Sequence, residues 1–280
     1  MTKVAMIGLG RMGGPMAKHV IDAGFEVSLF DISAESLAPF SESGAAVASS
    51  PADAARAVEV ACIVVFNDAQ TIEVVSGTNG VLTTMQPGSV VAIHSTISPE
   101  TLRHLADAGA EVGVAVIDAG ISGGEAGSKA GTLLTMVGGS EDAVDLASPT
   151  LMAFSKEIIH AGDLGAGLAL KLARNATGYI CMAAVHEAMQ IASGAGIALS
   201  VLQHTIAETG VFDQALSPFM LGGPSPLSDN DAQSLRDLLI HLQSLGEKDL
   251  DQALNLAGEL GEHLPVTAAT RKSFHSVTRL

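Results

Sequence analysis

Six residues near the start of the chain, Gly8-Leu9-Gly10-Arg11-Met12-Gly13, constrain its fold more than any other feature. They continue a short apolar run that begins at Lys3, open an amphipathic stretch at 12–23, and are followed by a second strand-like run at 26–30. In such a strand–turn–helix unit the first glycine permits a tight turn and the second lets a pyrophosphate approach the backbone. The third lets the helix pack close to the strand. Phosphates would then face the free N–H groups at the helix N-terminus. The glycine spacing alone is weak, but strand, helix and second strand occur here in the required order.

The pattern repeats through the first half. Apolar, β-branched runs at 3–8, 26–30, 60–66, 89–93 and 113–118 alternate with amphipathic stretches at 12–23, 34–43, 51–57, 69–75 and 99–108. Continuous apolar strands separated by helices predict a parallel sheet covered on both faces. Residues 132–137 and 157–160 are expected to add strands at one edge. After Asp163 the pattern changes: 164–193 carries no proline and reads as one long helix, apolar on nearly all sides, as in a helix buried between two domains or subunits. Gly194 and Gly196 are expected to stop it, and Ser200 to cap the next helix. The rest reads helical apart from a proline-containing loop at 222–228. The expected fold is therefore an α/β Rossmann, doubly wound parallel sheet over 1–163, followed by an all-α C-terminal domain over 164–280.

Composition limits the partners. With 14 Lys and Arg against 30 Asp and Glu the formal charge is -16, which argues against nucleic acid or an anionic membrane surface. Cys62 and Cys181 sit in apolar runs with neither disulfide nor metal spacing, and read as buried reduced thiols of a cytoplasmic protein. No metal site is expected. The stretch 188–207 lacks charges but is too polar to span a membrane, and no signal peptide is visible.

The second strand ends at Asp31, 18 positions after Gly13. A carboxylate there can accept the hydroxyls of an adenosine ribose and would repel a 2′-phosphate, while Ile32 and Ser33 supply no cation for one. NAD is expected in preference to NADP. Asn67, after the 60–66 run, joins Gly8, Leu9, Gly10, Arg11, Met12, Gly13 and Asp31 among the cofactor-contacting positions. Lys171 lies in an apolar helix, where a cation is costly without a purpose or partner, and Asn175 falls one turn further on the same helix face. Helix periodicity alone would make Lys171 a snorkelling surface lysine.

Five blocks together resemble the 3-hydroxyisobutyrate or β-hydroxyacid dehydrogenase family, which includes tartronate semialdehyde reductases. Besides the glycine turn they are Ser95-Thr96-Ile97-Ser98-Pro99, Asp118 to Gly124 with Gly127 and Gly131-Thr132-Leu133, Lys171-Leu172-Ala173-Arg174-Asn175, and Lys248-Asp249-Leu250. The resemblance covers essentially the whole chain. It implies that Lys171 is the general acid or base and Asn175 a substrate contact. Ser122, Gly123 and Gly124 would hold the substrate carboxylate in a turn after a strand ending at Asp118. Thr96 would contact the cofactor, and Lys248, at the start of a helix, would reach the cofactor or the cleft. Three positions depart from the family pattern. Gly120 stands where proline is usual, implying a looser turn; Arg174 replaces a frequent asparagine; and 227–246 lacks the family's Phe- and Met-rich character.

The implied reaction is reversible hydride transfer between NAD(P) and a short β-hydroxy acid or its semialdehyde, by a homodimer or homotetramer acting on a small carboxylate. The rival readings are an imine reductase of the same fold and a non-catalytic NAD-binding sensor. A phosphogluconate-type enzyme ranks lower, for want of length and of a cationic phosphate pocket.

Overall fold

The computed structural model describes residues 2–214 and 224–280. Eight strands, β1 (Lys3–Ile7), β2 (Glu26–Phe30), β3 (Ala46–Val47), β4 (Val60–Ile63), β5 (Val90–Ile93), β6 (Ala115–Ser122), β7 (Leu133–Gly138) and β8 (Ser155–Gly162), form one sheet ordered β3-β2-β1-β4-β5-β6-β7-β8. All neighbours run parallel except β6 and β7. Helices α1 (Gly13–Asp22), α2 (Ala34–Leu37), α3 (Pro51–Ala54), α4 (Asp68–Ser76), α5 (Pro99–Glu111), α6 (Gly124–Ala130) and α7 (Glu141–Met152) connect the strands. Successive strand side chains point to opposite faces, and both faces are covered. Val4 and Met6 pack into a core with Met16, Val20 and Phe154, while Ala5 and Ile7 pack into another with Val75, Leu102 and Leu105. That is why these strands read as unbroken apolar runs. The sheet reverses its direction of growth at β1, so the ends of β1 and β4 bound the switch point where ligands of such sheets collect.

Strand β6 outgrows its parallel neighbour β5. Ile93, the last residue of β5, pairs with Asp118, yet β6 continues four residues to Ser122. At about 3.3 Å per residue this extension rises roughly 13 Å past β5. The sequence suggests an end at Asp118; antiparallel pairing of Ala119 to Ser122 with Val137 to Leu134 of β7 carries the strand on.

By internal contacts the chain divides into Met1–Arg174 and Asn175–Leu280. The composition change at Asp163 lies just before α8 (Ala166–Gly194), whose first turns nevertheless bond to the sheet and belong to the first unit. The second unit contains the rest of α8, then α9 (Leu199–Glu208), α10 (Val211–Gln214), α11 (Gln233–Leu260) and α12 (Pro265–Val277). Glu187, buried on α8, caps α12 by accepting the N–H groups of Val266 (2.6 Å) and Thr267 (2.8 Å).

Several local expectations need correction. Ala198, not Ser200, precedes α9, without a side-chain cap. Lys248 lies in the middle of α11 rather than at a helix start, because Gly246 does not break the helix and instead admits the Phe274 ring of α12. Tyr179, Ile180 and Met182 of α8 are 60–68% exposed in the single chain. Cys62 is buried and its thiol pushed up to about 12 by desolvation, whereas Cys181 is only half-buried. Residues 222–223 of the expected proline loop lie outside the described residues. Among those described, no helix is long and apolar enough to cross a membrane and no group of side chains could hold a metal ion.

Candidate functional site

The three glycines of the first turn have different reasons to be glycine. Gly8 has φ +88°, and a Cβ there would lie 2.5 Å from the Val64 carbonyl oxygen. Gly13 packs against the Gly8 carbonyl, which a side chain would overlap. A Cβ at Gly10, by contrast, meets nothing within 4 Å. Gly10 borders open space at the N-terminus of α1, which is where a pyrophosphate must enter. The residues present therefore fit a dinucleotide.

Around this turn the cofactor-contacting candidates take different places. Asp31 accepts the Leu9 N–H at Oδ2 (2.6 Å) and the Ser33 N–H at Oδ1 (2.7 Å), tying the end of β2 to the glycine turn. Each oxygen keeps lone-pair capacity for a ribose hydroxyl. Asp31 borders a groove of about 480 Å³ shared with Gly8, Gly10, Ile32, Phe66 and Gln70. Ile32 and Phe66 are 89% and 86% exposed, apolar flanks suited to a planar base. The carbonyl of Met12 accepts the Ser128 hydroxyl (2.7 Å), and Arg11 is exposed. The Asn67 side chain caps α4 by accepting the Gln70 N–H (2.9 Å). Thr96 is exposed beyond β5, whereas its neighbour Ser95 is buried, donating to the Val65 carbonyl (2.6 Å) and accepting the Val65 N–H (3.1 Å). Ser98 caps α5.

Lys171 is 8% exposed, and its ammonium is held below the usual lysine range by desolvation. No salt bridge or hydrogen bond to its Nζ occurs among the described residues. Its stem lies on Gly120, where a Cβ would stand 2.7 Å from Lys171 Cδ. Gly120 is thus not in a loose turn but inside β6, where it makes room for the lysine. Strand alternation puts Asp118, Gly120 and Ser122 on one face, so Ser122 shares the lysine's side of the sheet. Beyond it, Gly123 (φ +131°) and Gly124 (φ +61°) form the turn into α6 and are exposed.

Two side chains here have roles that the sequence does not assign. His94, 2% exposed at the end of β5, meets the Ala119 carbonyl through Nδ1 (2.7 Å) and packs edge-on against Phe154. A carbonyl can only accept, so Nδ1 carries the proton and the buried, unpartnered Nε2 is an acceptor. Desolvation first, and the charge of Lys171 in addition, push His94 down to about 4, which keeps it neutral at physiological pH. Asp118 accepts the N–H groups of Gly165 (2.6 Å) and Leu168 (2.5 Å), and burial raises its carboxyl despite these bonds. The structure thus seats Lys171 on Gly120 in the sheet unit, with Ser122 two residues further along the same strand face. Asn175 and Lys248 belong to the second unit, where the Lys248 ammonium pairs with Asp249 at 3.1 Å.

Residues 3–162 match the NAD-binding domain of 6-phosphogluconate dehydrogenase. A 3-hydroxyisobutyrate dehydrogenase of Pseudomonas aeruginosa is 32% identical over 98% of this chain and 91% of its own length. The chain belongs to the 3-hydroxyisobutyrate dehydrogenase family. It is also 37% identical to an uncharacterised oxidoreductase of Mycobacterium tuberculosis, over 94% of this chain and 89% of that one. A solved oxidoreductase from Mycobacterium avium 104 matches with 34% identity and a TM-score of 0.85, over 100% and 99% of the two chains. An imine reductase from Myxococcus stipitatus in complex with NAD+ shares the fold at 18% identity (TM-score 0.81, 98% and 92% covered). The protein is accordingly an oxidoreductase of the hydroxyacid dehydrogenase family with an NAD-binding sheet domain.

Proposed function

We propose that this chain oxidises a short β-hydroxy acid to its semialdehyde, or reduces the semialdehyde, with NAD in preference to NADP. The observation that carries the reading is Lys171: a buried lysine with no anionic partner among the described residues, seated on Gly120 at the ligand edge of the sheet. A bound nicotinamide supplies the hydride chemistry. The glycine turn and Asp31 orient the pyrophosphate and ribose. Lys171 takes the hydroxyl proton during oxidation, a role for which a lowered pKa suits it, and returns a proton during reduction. Ser122 and the backbone of Gly123 and Gly124 hold the carboxylate, while Thr96, Asn175 and Lys248 enter the site on the family resemblance alone. We also propose a homodimer or homotetramer, in which a second copy covers the exposed Tyr179, Ile180 and Met182.

The test is a panel of short hydroxy acids and semialdehydes followed at the nicotinamide absorbance band, with both dinucleotides, on wild type, Lys171→Ala and Lys171→Met. Positioned proton transfer contributes about a hundred- to ten-thousandfold, so both variants should lose at least that factor while binding NAD as before. Retention of about a tenth of the turnover in either variant would remove Lys171 from the mechanism and favour imine reduction or sensing. A tenfold preference for NADP would refute the assignment of Asp31.

A further inference from the structure

We propose that Asp118 is a positioning residue for Lys171, acting through the first turn of α8. This rests on the reading of Lys171 as the proton-transferring group and deepens it. The carboxylate of Asp118 is buried, a costly state unless its oxygens are satisfied, and the partners it takes are main-chain N–H groups at the start of α8. Oδ1 receives Gly165 and Oδ2 receives Leu168. The sheet thereby supplies the cap that Ser, Thr or Asp normally supplies from within the helix, with a charge that also complements the positive helix end.

Lys171 stands three residues beyond Leu168, less than one turn along the same rigid helix. Any shift of the capped end is carried to it. Two glycines let the helix start come this close. A Cβ at Gly138 would lie 2.6 Å from Asp118 Oδ1, and one at Gly167 would lie 2.5 Å from the Met136 carbonyl oxygen. Two residues along the same strand face, Gly120 then receives the lysine stem. One strand therefore fixes both the helix that carries the lysine and the depth to which the lysine is buried. His94, at the end of β5, is the titratable side chain whose protonation Lys171 opposes, and it is neutral.

The test uses Asp118→Asn, whose amide would put a donor against one of the two N–H groups, and Asp118→Ser, which keeps cap chemistry on a shorter arm. Two quantities are read in the full-length protein. One is the acid limb of the pH–rate profile for alcohol oxidation. The other, independent of turnover, is the pH midpoint for covalent labelling of the Lys171 amine, followed by mass spectrometry. A lysine released toward water regains basicity, so both should move up by about one pH unit or more, with kcat down at least tenfold and NAD affinity within twofold of wild type. Folded variants with wild-type kcat and unmoved midpoints would overturn the proposal. So would failure of both variants to fold, which would make Asp118 a folding residue. If Lys171→Ala retains turnover while the labelling midpoint moves in the Asp118 variants, the positioning stands and the catalytic reading of Lys171 falls.

Discussion

Every residue of β4 and β5 is buried, whereas α9 and α12 contain no buried residue at all. The sheet unit closes its own core on both faces of the sheet. In the helical unit the buried apolar residues among those described come down to Ala192, Leu239, Ala257 and Leu264, while Met182, Val201, Phe212 and Ile240 stay exposed. The difference teaches where stability and recognition reside. Since burial of apolar area is the main favourable term in folding, the sheet unit can hold a site rigidly by itself. The helices carry apolar surface whose cover must come from outside their own packing.

The largest effect expected from this contrast is on separated halves. A chain ending at Arg174 should fold cooperatively and bind NAD, and residues 175–280 alone should show no cooperative unfolding by circular dichroism or calorimetry. A sharp transition in the isolated helical half would break the comparison outright. Next in size is a pair of substitutions within the sheet half. Gly13→Val must displace the Gly8 carbonyl, and overpacking of that kind costs about 1–3 kcal/mol or more, so Tm should drop. Gly10→Val projects into open space; Tm should hold while calorimetric NAD binding disappears. Unimpaired NAD binding by Gly10→Val would place the pyrophosphate elsewhere.

The smallest effect concerns the neutral imidazole inside the sheet core. His94 is depressed from 6.5 to about 4 in the folded chain, so between those values the unfolded chain binds a proton that the native state refuses. Stability from this group is therefore complete above about pH 6.5 and is lost as pH falls toward 4, by up to roughly 3 kcal/mol. His94→Gln, which can still donate to the Ala119 carbonyl, should flatten that part of the stability curve in denaturant titrations. An unchanged slope would mean that water reaches the ring.

What could be read from the sequence follows the same division. The glycine turn, Asp31 and the parallel strands are local in the chain, and fully buried strands announce themselves as apolar runs. Lys171 stood out because charge is rare in such a helix. Asp118 and His94 did not, since their roles rest on partners far along the chain: Asp118 caps a helix that begins more than forty residues later, with a separation of 47 to Gly165. The extension of β6 was hidden for the same reason, because β7 supplies its pairing. In the helical half the expected helix start at Lys248 falls inside one helix from Gln233 to Leu260, where Gly246 makes room for the Phe274 ring, a neighbour that lies far along the chain.

The long arm of β6 also bears on how such a protein can change over time. Asp118, Gly120 and Ser122 act from alternate positions of one strand, so a single inserted or deleted residue between them would turn those beyond it to the opposite face. Different side chains can be tried at each position one at a time. Length, which loops vary freely, is closed to this strand: new substrates would have to be reached by exchange of residues here, and by insertion only beyond Gly123, where the backbone leaves the sheet.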